Sequence, residues 1–249
     1  MIDIHCHILP GVDDGAKSLE ESLSMAKTAV EDGIHTIVAT PHTLNGIYLN
    51  PAHEVISGVA RLQDVLTHNH IDLQLCPGAD IQLCPGIMGR IREGEAGTIN
   101  NNQRYILLEL PAQTVPPGVK DEIFNLKVNG ITPIITHPER HPAILRDMTL
   151  LQRLVSLGAL VQVTAMSITG DFGEVVMQYA ERLLTQRLVH VIASDAHSPD
   201  TRPPILSRAV EAAAEIMGNH EDAERMVTVI PEAILSGDPL ELPEPMRKA

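Results

Sequence analysis

Seven short apolar runs recur along the chain, separated by stretches with helical patterning. The runs are Ile2–His5, His35–Ala39, Asp72–Cys76, Tyr105–Leu110, Thr132–Thr136, Ala159–Val163 and Val189–Ala193. They are rich in Leu and β-branched residues and too short for helices, so they read as strands buried on both faces. After the first run, Leu19, Leu23, Ala26 and Val30 form one helical stripe. Ser18 with Glu21 makes a capping box ahead of it, and Gly33 stops it. Further helices are expected near Ala52–His68, Pro85–Arg92, Val119–Val128, Thr149–Leu157, Gly173–Gln186 and Pro204–Met217. Strand followed by helix, seven times over, predicts a parallel sheet covered by helices. If that sheet closes into a barrel, the first strand is zipped between neighbours and the chemistry sits at the C-terminal strand ends. A single domain over 1–239 and a loose tail over 240–249 follow from this pattern and from Pro243 and Pro245.

The strand ends carry a second pattern. The first strand runs into His5-Cys6-His7, the second into Thr40-Pro41-His42, the third into Gly78-Ala79-Asp80 and the fourth into Leu108-Glu109-Leu110. The fifth runs into His137-Pro138-Glu139-Arg140 and the seventh into Ser194-Asp195-Ala196-His197. Only the sixth delivers no His, Asp or Glu. Alternation puts His5 and His7 on one face, as it does Asp195 and His197, and turns Cys6 and Ala196 toward the helices as packing. A lone buried histidine is usually a hydrogen-bonded core residue. Burying this many imidazoles and carboxylates on one rim without cations would cost several kcal/mol per group. A metal cluster is therefore expected, and mixed His/carboxylate ligation without thiolate suits Mn, Fe or Zn. His35 and His190 begin their strands and belong to the opposite rim; His53, His68, His70 and His220 read as structural or solvated.

Composition narrows the partners. The net charge is −14 with His neutral, which argues against a broad nucleic-acid or anionic-membrane interface. Three cysteines without a C-x-x-C pair, no apolar run long enough to span a bilayer and no cationic leader point to the cytoplasm.

The stretches MIDIHCHILPGVDDG, IVATPH, PGADI, ILLEL, GITPIITHPER and LVHVIASDAHSPDTRPP occur in this order along nearly the whole chain. Together they resemble the polymerase and histidinol phosphatase (PHP) superfamily. Within it they resemble the metal-dependent tyrosine-protein phosphatases encoded with bacterial capsule and exopolysaccharide genes. The resemblance implies a distorted (β/α)7 TIM-like barrel holding three divalent ions, Mn above Fe or Zn. It assigns His5, His7 and Asp195 to one ion, His42 and His137 to a second, Glu109 as a bridge between those two, and Asp14, Asp80 and His197 to a third. Arg140 and Arg202 would contact the phosphate, and His197 and Asp14 are the candidate proton donors. The implied substrate is a phosphotyrosine protein or peptide, such as a kinase C-terminal tail, reached through an open mouth with Leu44–Pro51 and Gln113–Gly118 on its rim. This sequence departs from the family in carrying Asp80 where Glu is usual, a side chain one methylene shorter.

Other readings compete. A PHP-type small-molecule phosphatase, such as one acting on histidinol phosphate, would share the ligands. An amidohydrolase also opens with H-x-H but usually adds a ligand Lys, and no Lys stands at a strand end here. A barrel retained only for binding would be expected to lose ligands. Cys84-x5-Arg90 matches the spacing of cysteine-dependent tyrosine phosphatases. Yet Pro85 removes one of the N–H groups that such a phosphate loop needs, and Cys84-Pro85 reads as a helix start.

Overall fold

The computed structural model describes residues 1–240, so residues 241–249 of the expected tail lie outside it. In chain order the elements are β1 (Ile2–Cys6), α1 (Leu19–Glu31), β2 (Thr36–Ala39), β3 (His42–Thr43), α2 (Ala52–His68), β4 (Gln74–Pro77), β5 (Asp80–Gln82), α3 (Ile87–Arg92) and β6 (Tyr105–Glu109). There follow α4 (Val119–Val128), β7 (Thr132–Thr136), α5 (Pro142–Arg146), α6 (Thr149–Ser156), β8 (Leu160–Thr164), α7 (Ala165–Ile168), α8 (Glu174–Thr185), β9 (Val191–Ala193), α9 (Ser207–Met217), α10 (His220–Arg225) and α11 (Val229–Ser236).

All strand pairings are parallel, and they form two sheets, β1-β2-β4 and β3-β5-β6-β7-β8-β9. The expected seven-stranded barrel is thus not a continuous ladder. Its second and third strands are each split in two, at Thr40-Pro41 and at Gly78-Ala79. Pro41 has no N–H to give a ladder. Gly78 lies so close to β2 that a Cβ there would sit 2.6 Å from Val38 Cγ1. The two sheets still share contacts. A parallel bridge joins Cys6 to Ala196, His7 N–H donates to Ala196 O at 2.9 Å, and Asp195 N–H donates to His5 O at 2.8 Å.

Packing follows the alternation of the strands. One apolar cluster lies between strands and helices; the stripe Val55, Val59, Leu62 and Leu66 of α2 belongs to it. Each such side chain contributes about 1.5–3 kcal/mol by leaving water. A second cluster takes Ile2, Ile4, Val38, Leu107, Ile134, Leu160 and Val191 from strands of both sheets, with Ile230 and Ile234 of α11 beneath them and Leu240 against it. Register shifts in β1 between Asp3 and Cys6. Ile4 consequently belongs to the second cluster and Cys6 to the first, although strict alternation would put them on one face. Ser18 caps α1 as its sequence predicts, its Oγ accepting from Glu21 N–H at 3.4 Å, while Glu21 Oε2 accepts from Lys17 N–H at 2.8 Å, one residue before the N-cap rather than the N-cap itself. α3 begins later than expected, at Ile87 behind a left-handed Gly86, so Pro85 is not its first residue. α5, α7, α10 and α11 were not legible as helices. Three are six residues or shorter, and α11 carries Pro231 inside an almost wholly apolar run.

Candidate metal centre

The polar strand ends converge on one cavity of about 250 Å³, lined among others by Asp14, His42, Glu109, His137, Asp195 and His197. Its floor is buried: His5 and Asp80 are 0% exposed, His7 1% and Asp195 2%. Its mouth is open, with the Asp14 side chain 53% exposed.

The donor atoms cluster closely enough that groups of them could hold a cation. His5 Nε2 lies 3.2 Å from His7 Nε2 and 3.4 Å from Asp195 Oδ1, and His7 Nε2 lies 3.6 Å from that same oxygen. Two donors about 2.1 Å from a common ion stand roughly 3.0–3.5 Å apart. His42 Nδ1 faces Asp80 Oδ2 at 3.2 Å and Glu109 Oε2 at 3.6 Å, and His137 Nε2 faces Glu109 Oε1 at 3.8 Å. Asp14 Oδ1 is 3.5 Å from both His42 Nε2 and His197 Nε2. His42 Nδ1 and Asp80 Oδ2 are buried without a hydrogen-bond partner, an arrangement that costs free energy unless a cation satisfies both. Grouping by distance puts Asp14 with His7, His42 and His197, and puts Asp80 both with His5 and His7 and with His42 and Glu109. This differs from the partition implied by resemblance, which paired Asp80 with Asp14 and His197. The short, fully buried Asp80 lies deep, opposite His42 in the β3–β5 register.

Three histidines have their tautomers set by neighbours, leaving Nε2 bare toward the centre. His7 Nδ1 pairs with Asp13 Oδ2 at 2.7 Å, His5 Nδ1 with Gln162 Oε1 at 3.1 Å and His197 Nδ1 with Asp195 O at 2.9 Å. Such outer hydrogen bonds orient imidazoles for metal ligation. Asp13 also accepts from the His42 and Gly15 N–H groups, both at 3.0 Å. Gly15 is needed here, because a Cβ would lie 2.2 Å from His7 O. The N-terminus is held by β2, by the Ile2 N–H bond to Val227 O at 2.8 Å and by this loop.

A profile for the family described as "Capsular polysaccharide synthesis, CpsB/CapC" matches residues 1–236. The chain belongs to the CpsB/CapC family. It is 39% identical to tyrosine-protein phosphatase YwqE of Bacillus subtilis over 202 residues, 81% of this chain and 79% of that protein. It is 31% identical to tyrosine-protein phosphatase CpsB of Streptococcus pneumoniae over 232 residues, 91% of this chain and 95% of that protein. A solved structure from work on YwqE and CpsB, described as unique metal-dependent tyrosine phosphatases, superposes with a TM-score of 0.93 at 34% identity, covering 100% of both chains. A β-aspartyl dipeptidase of Fervidobacterium islandicum matches at 13% identity with a TM-score of 0.58, over 96% of this chain and 74% of that one, which shows shared fold alone.

In this CpsB/CapC member the charges are strongly coupled. Burial drives the His7 pKa down to about 4, with neighbouring His197 adding to the effect, so its imidazole is neutral. Burial opposes charge on His42 too, but the carboxylates of Asp80, Glu109 and Asp14 outweigh it and raise its pKa to about 9. Burial also works against the Asp195 carboxylate. The surrounding His5, Arg140, His137 and Arg202 overcome it and hold the group well below the usual carboxylate range. Arg140 Nη2 and Arg202 Nη2 both contact Asp195 Oδ2, the latter at 2.7 Å. Asp195 and His137 have φ of 52° and 35°, left-handed values costing roughly 1–3 kcal/mol each. Strain of this kind at a strand end re-aims a side chain, and no sequence signal announced it.

All nine expected ligands and both arginines meet at this cavity and its buried floor. Of the two expected rim loops, Leu44–Pro51 reaches the site through Tyr48, stacked on His42 with ring centroids 6.3 Å apart. The cavity wall stops at Ala112, and no residue of Gln113–Gly118 lines it. Neither Cys84 nor Arg90 lines it either; burial raises the Cys84 pKa, and Arg90 pairs with Glu95 at 2.7 Å. His35 and His190 stand outside the site, bonded to Thr36 Oγ1 and to Val161 N–H, and His53, His68, His70 and His220 are exposed. Sequence reading passed over His141, which lines the cavity, bonds Pro111 O through Nε2 at 2.9 Å and caps α5. Asp13 stands beside Asp14 as a carboxylate pair in the first motif, but its supporting role, like those of Gln162 and Thr164, has no sequence signature, because hydrogen-bonding side chains are common in strands and loops.

Proposed function

We propose that this chain is a metal-dependent protein-tyrosine phosphatase acting on the phosphotyrosine tail of a kinase in capsule or exopolysaccharide synthesis. The observation that carries the reading is the set of bare imidazole and carboxylate donors 3.2–3.8 Å apart, with two arginines at their edge. Three divalent ions, Mn above Fe or Zn, are proposed: one on His5, His7 and Asp195, one near His42, His137, Asp80 and Glu109, and one near Asp14 and His197. Bound divalent cations supply Lewis-acid charge and acidify water. The protein's own part is to hold Nε2 of His5, His7 and His197 unprotonated, through Gln162, Asp13 and the Asp195 carbonyl, and to offer Arg140 and Arg202 as planar donors to phosphate oxygens. A phenolate, whose conjugate acid has a pKa of about 10, leaves with little protonation. Asp14, held below the usual carboxylate range by His197, is ionised and available to a cation rather than a proton donor. The exposed Asp14 suits a substrate presented on an extended segment. No helix among the described residues is long and apolar enough to cross a membrane, and a cytoplasmic location is proposed. The two sheets, sharing one inner cluster and joined at Cys6–Ala196, are taken as a distorted (β/α)7 barrel forming one domain over 1–239.

The test compares hydrolysis of p-nitrophenyl phosphate, a phosphotyrosine peptide and histidinol phosphate by the manganese-loaded protein, by chelated protein and by chelated protein after metal return. Loss with chelator, recovery with manganese and preference for the peptide are expected. Full activity after demetallation would overturn the reading, and preference for histidinol phosphate would replace the substrate.

A further inference from the structure

Arg140 follows β7 and Arg202 follows β9, yet both guanidinium groups lie over a single aromatic ring. Arg140 Cζ is 5.0 Å and Arg202 Cζ 5.8 Å from the centroid of Phe172. This is one of only two phenylalanines in the chain; the other, Phe124, is exposed. We propose that Phe172 is a positioning residue that holds Arg140 and Arg202 side by side so that their remaining N–H donors meet the phosphoryl group of the substrate. The proposal rests on the phosphatase reading and adds to it a residue that does not line the cavity and so acts only through the arginines.

Two like charges drawn to one spot repel, and a phosphate site needs them close. The negative face of an aromatic ring attracts both guanidinium groups while leaving their N–H donors free. Each arginine has donors to spare: the side chains are 24% and 27% exposed, and neither Nη1 is hydrogen-bonded to another described residue, every side-chain hydrogen bond of the two running through Nη2. Their other anchors are few: Arg140 Nη2 donates to Thr164 Oγ1 at 3.2 Å and Arg202 Nη2 to Asp195 O at 2.8 Å, besides the shared Asp195 carboxylate. The backbone that carries the ring is held in a tight turn between α7 and α8. Asp171 N–H donates to Met166 O at 3.0 Å and Gly173 N–H to Gly170 O at 2.9 Å. Gly170 and Gly173 take φ of 85° and 94°, values that side-chain-bearing residues avoid.

The experiment uses the manganese-loaded full-length protein with Phe172→Ala, Phe172→Leu and Phe172→Tyr. Two cation–π contacts predict a KM for p-nitrophenyl phosphate roughly tenfold higher in the Ala and Leu variants, with kcat within about threefold of the parent. Inhibition by inorganic phosphate should weaken by the same factor, and Phe172→Tyr should behave as the parent. Leucine keeps the apolar volume, so Phe172→Leu remains informative if Phe172→Ala fails to fold. Parent-like KM and phosphate inhibition in Phe172→Leu would overturn the proposal. If Arg140→Ala and Arg202→Ala still weaken phosphate inhibition, that failure belongs to Phe172 alone. Arginine variants that bind phosphate normally would also overturn the proposal, whereas an inactive parent protein would sink the phosphatase reading and this proposal with it.

Discussion

The ends of β1 and β8 both face the cavity but serve it differently. β1 brings His5 and His7, ionisable groups whose nitrogens point at the centre. β8 brings Leu160 to the inner core, then Gln162 and Thr164 to the site, all on one face of the strand. Gln162 orients His5 and accepts from the His137 N–H at 3.4 Å; Thr164 meets Arg140 and, at 3.5 Å, Asp195. The loop beyond β8 adds Phe172. Of the seven strands expected from the sequence, the sixth, β8, is the one without a metal-type ligand, and it delivers support for residues on three others. Ligation demands particular elements and charges, so few residue types can do it. Orientation demands only a donor, an acceptor or a ring in the right place, and many residue types qualify.

The contrast can be broken by substitution at either strand. His5→Ala or Asp195→Ala should remove several kcal/mol of transition-state stabilisation, a rate loss of roughly a thousandfold or more, together with metal seen by elemental analysis. Retained metal and retained rate in both would dissolve the distinction from the ligand side. Gln162→Leu should cost about 10–100-fold in manganese affinity with the ligands untouched. A manganese titration superimposable on the parent's would reduce β8 to packing.

A third test uses an imidazole that the fold keeps out of the site. Burial holds the His190 pKa at about 4, against an ordinary 6.5 in the unfolded chain. Its contribution is complete above pH 6.5 and is lost as pH falls toward 4, because the unfolded chain takes up the proton first. The loss is about 3 kcal/mol at its limit. Between pH 7 and pH 4.5, denaturant titrations should show the parent losing up to about 3 kcal/mol more stability than His190→Gln, the remaining slope of the variant coming from other buried groups such as His7; the variant's phosphatase activity at pH 7 should be unchanged. An altered rate would place His190 in the chemistry after all. Thr164→Val should raise KM only a few-fold, the worth of about one hydrogen bond near 1 kcal/mol. Cys84→Ser should change nothing, and iodoacetamide should leave activity intact; inactivation by iodoacetamide would revive the thiolate alternative.

Legibility followed the same division. H-x-H, D-x-H and the Glu and His at strand ends could be read because alternation and strand order place them on one rim whatever the details. The ligand grouping was less legible, since the depth of Asp80 depends on a β3–β5 pairing only two residues long on one side. The break of the ladder at Pro41 was visible as a proline but not as a change of sheet. The short helices α5, α7 and α10 gave no periodicity because one or two turns contain too few positions to show one.

The sequence by itself determined the strand–helix alternation, the rim on which chemistry sits and the kinds of ligand gathered there. These depend on side-chain period and on the types of atom that bind cations, both local properties of the chain. Tertiary structure alone decided which ligands share an ion's reach, the left-handed turns at His137 and Asp195, and the meeting of Arg140, Arg202 and Phe172. Those depend on distances between segments remote in the chain, set when the strands pair and the helices pack over them.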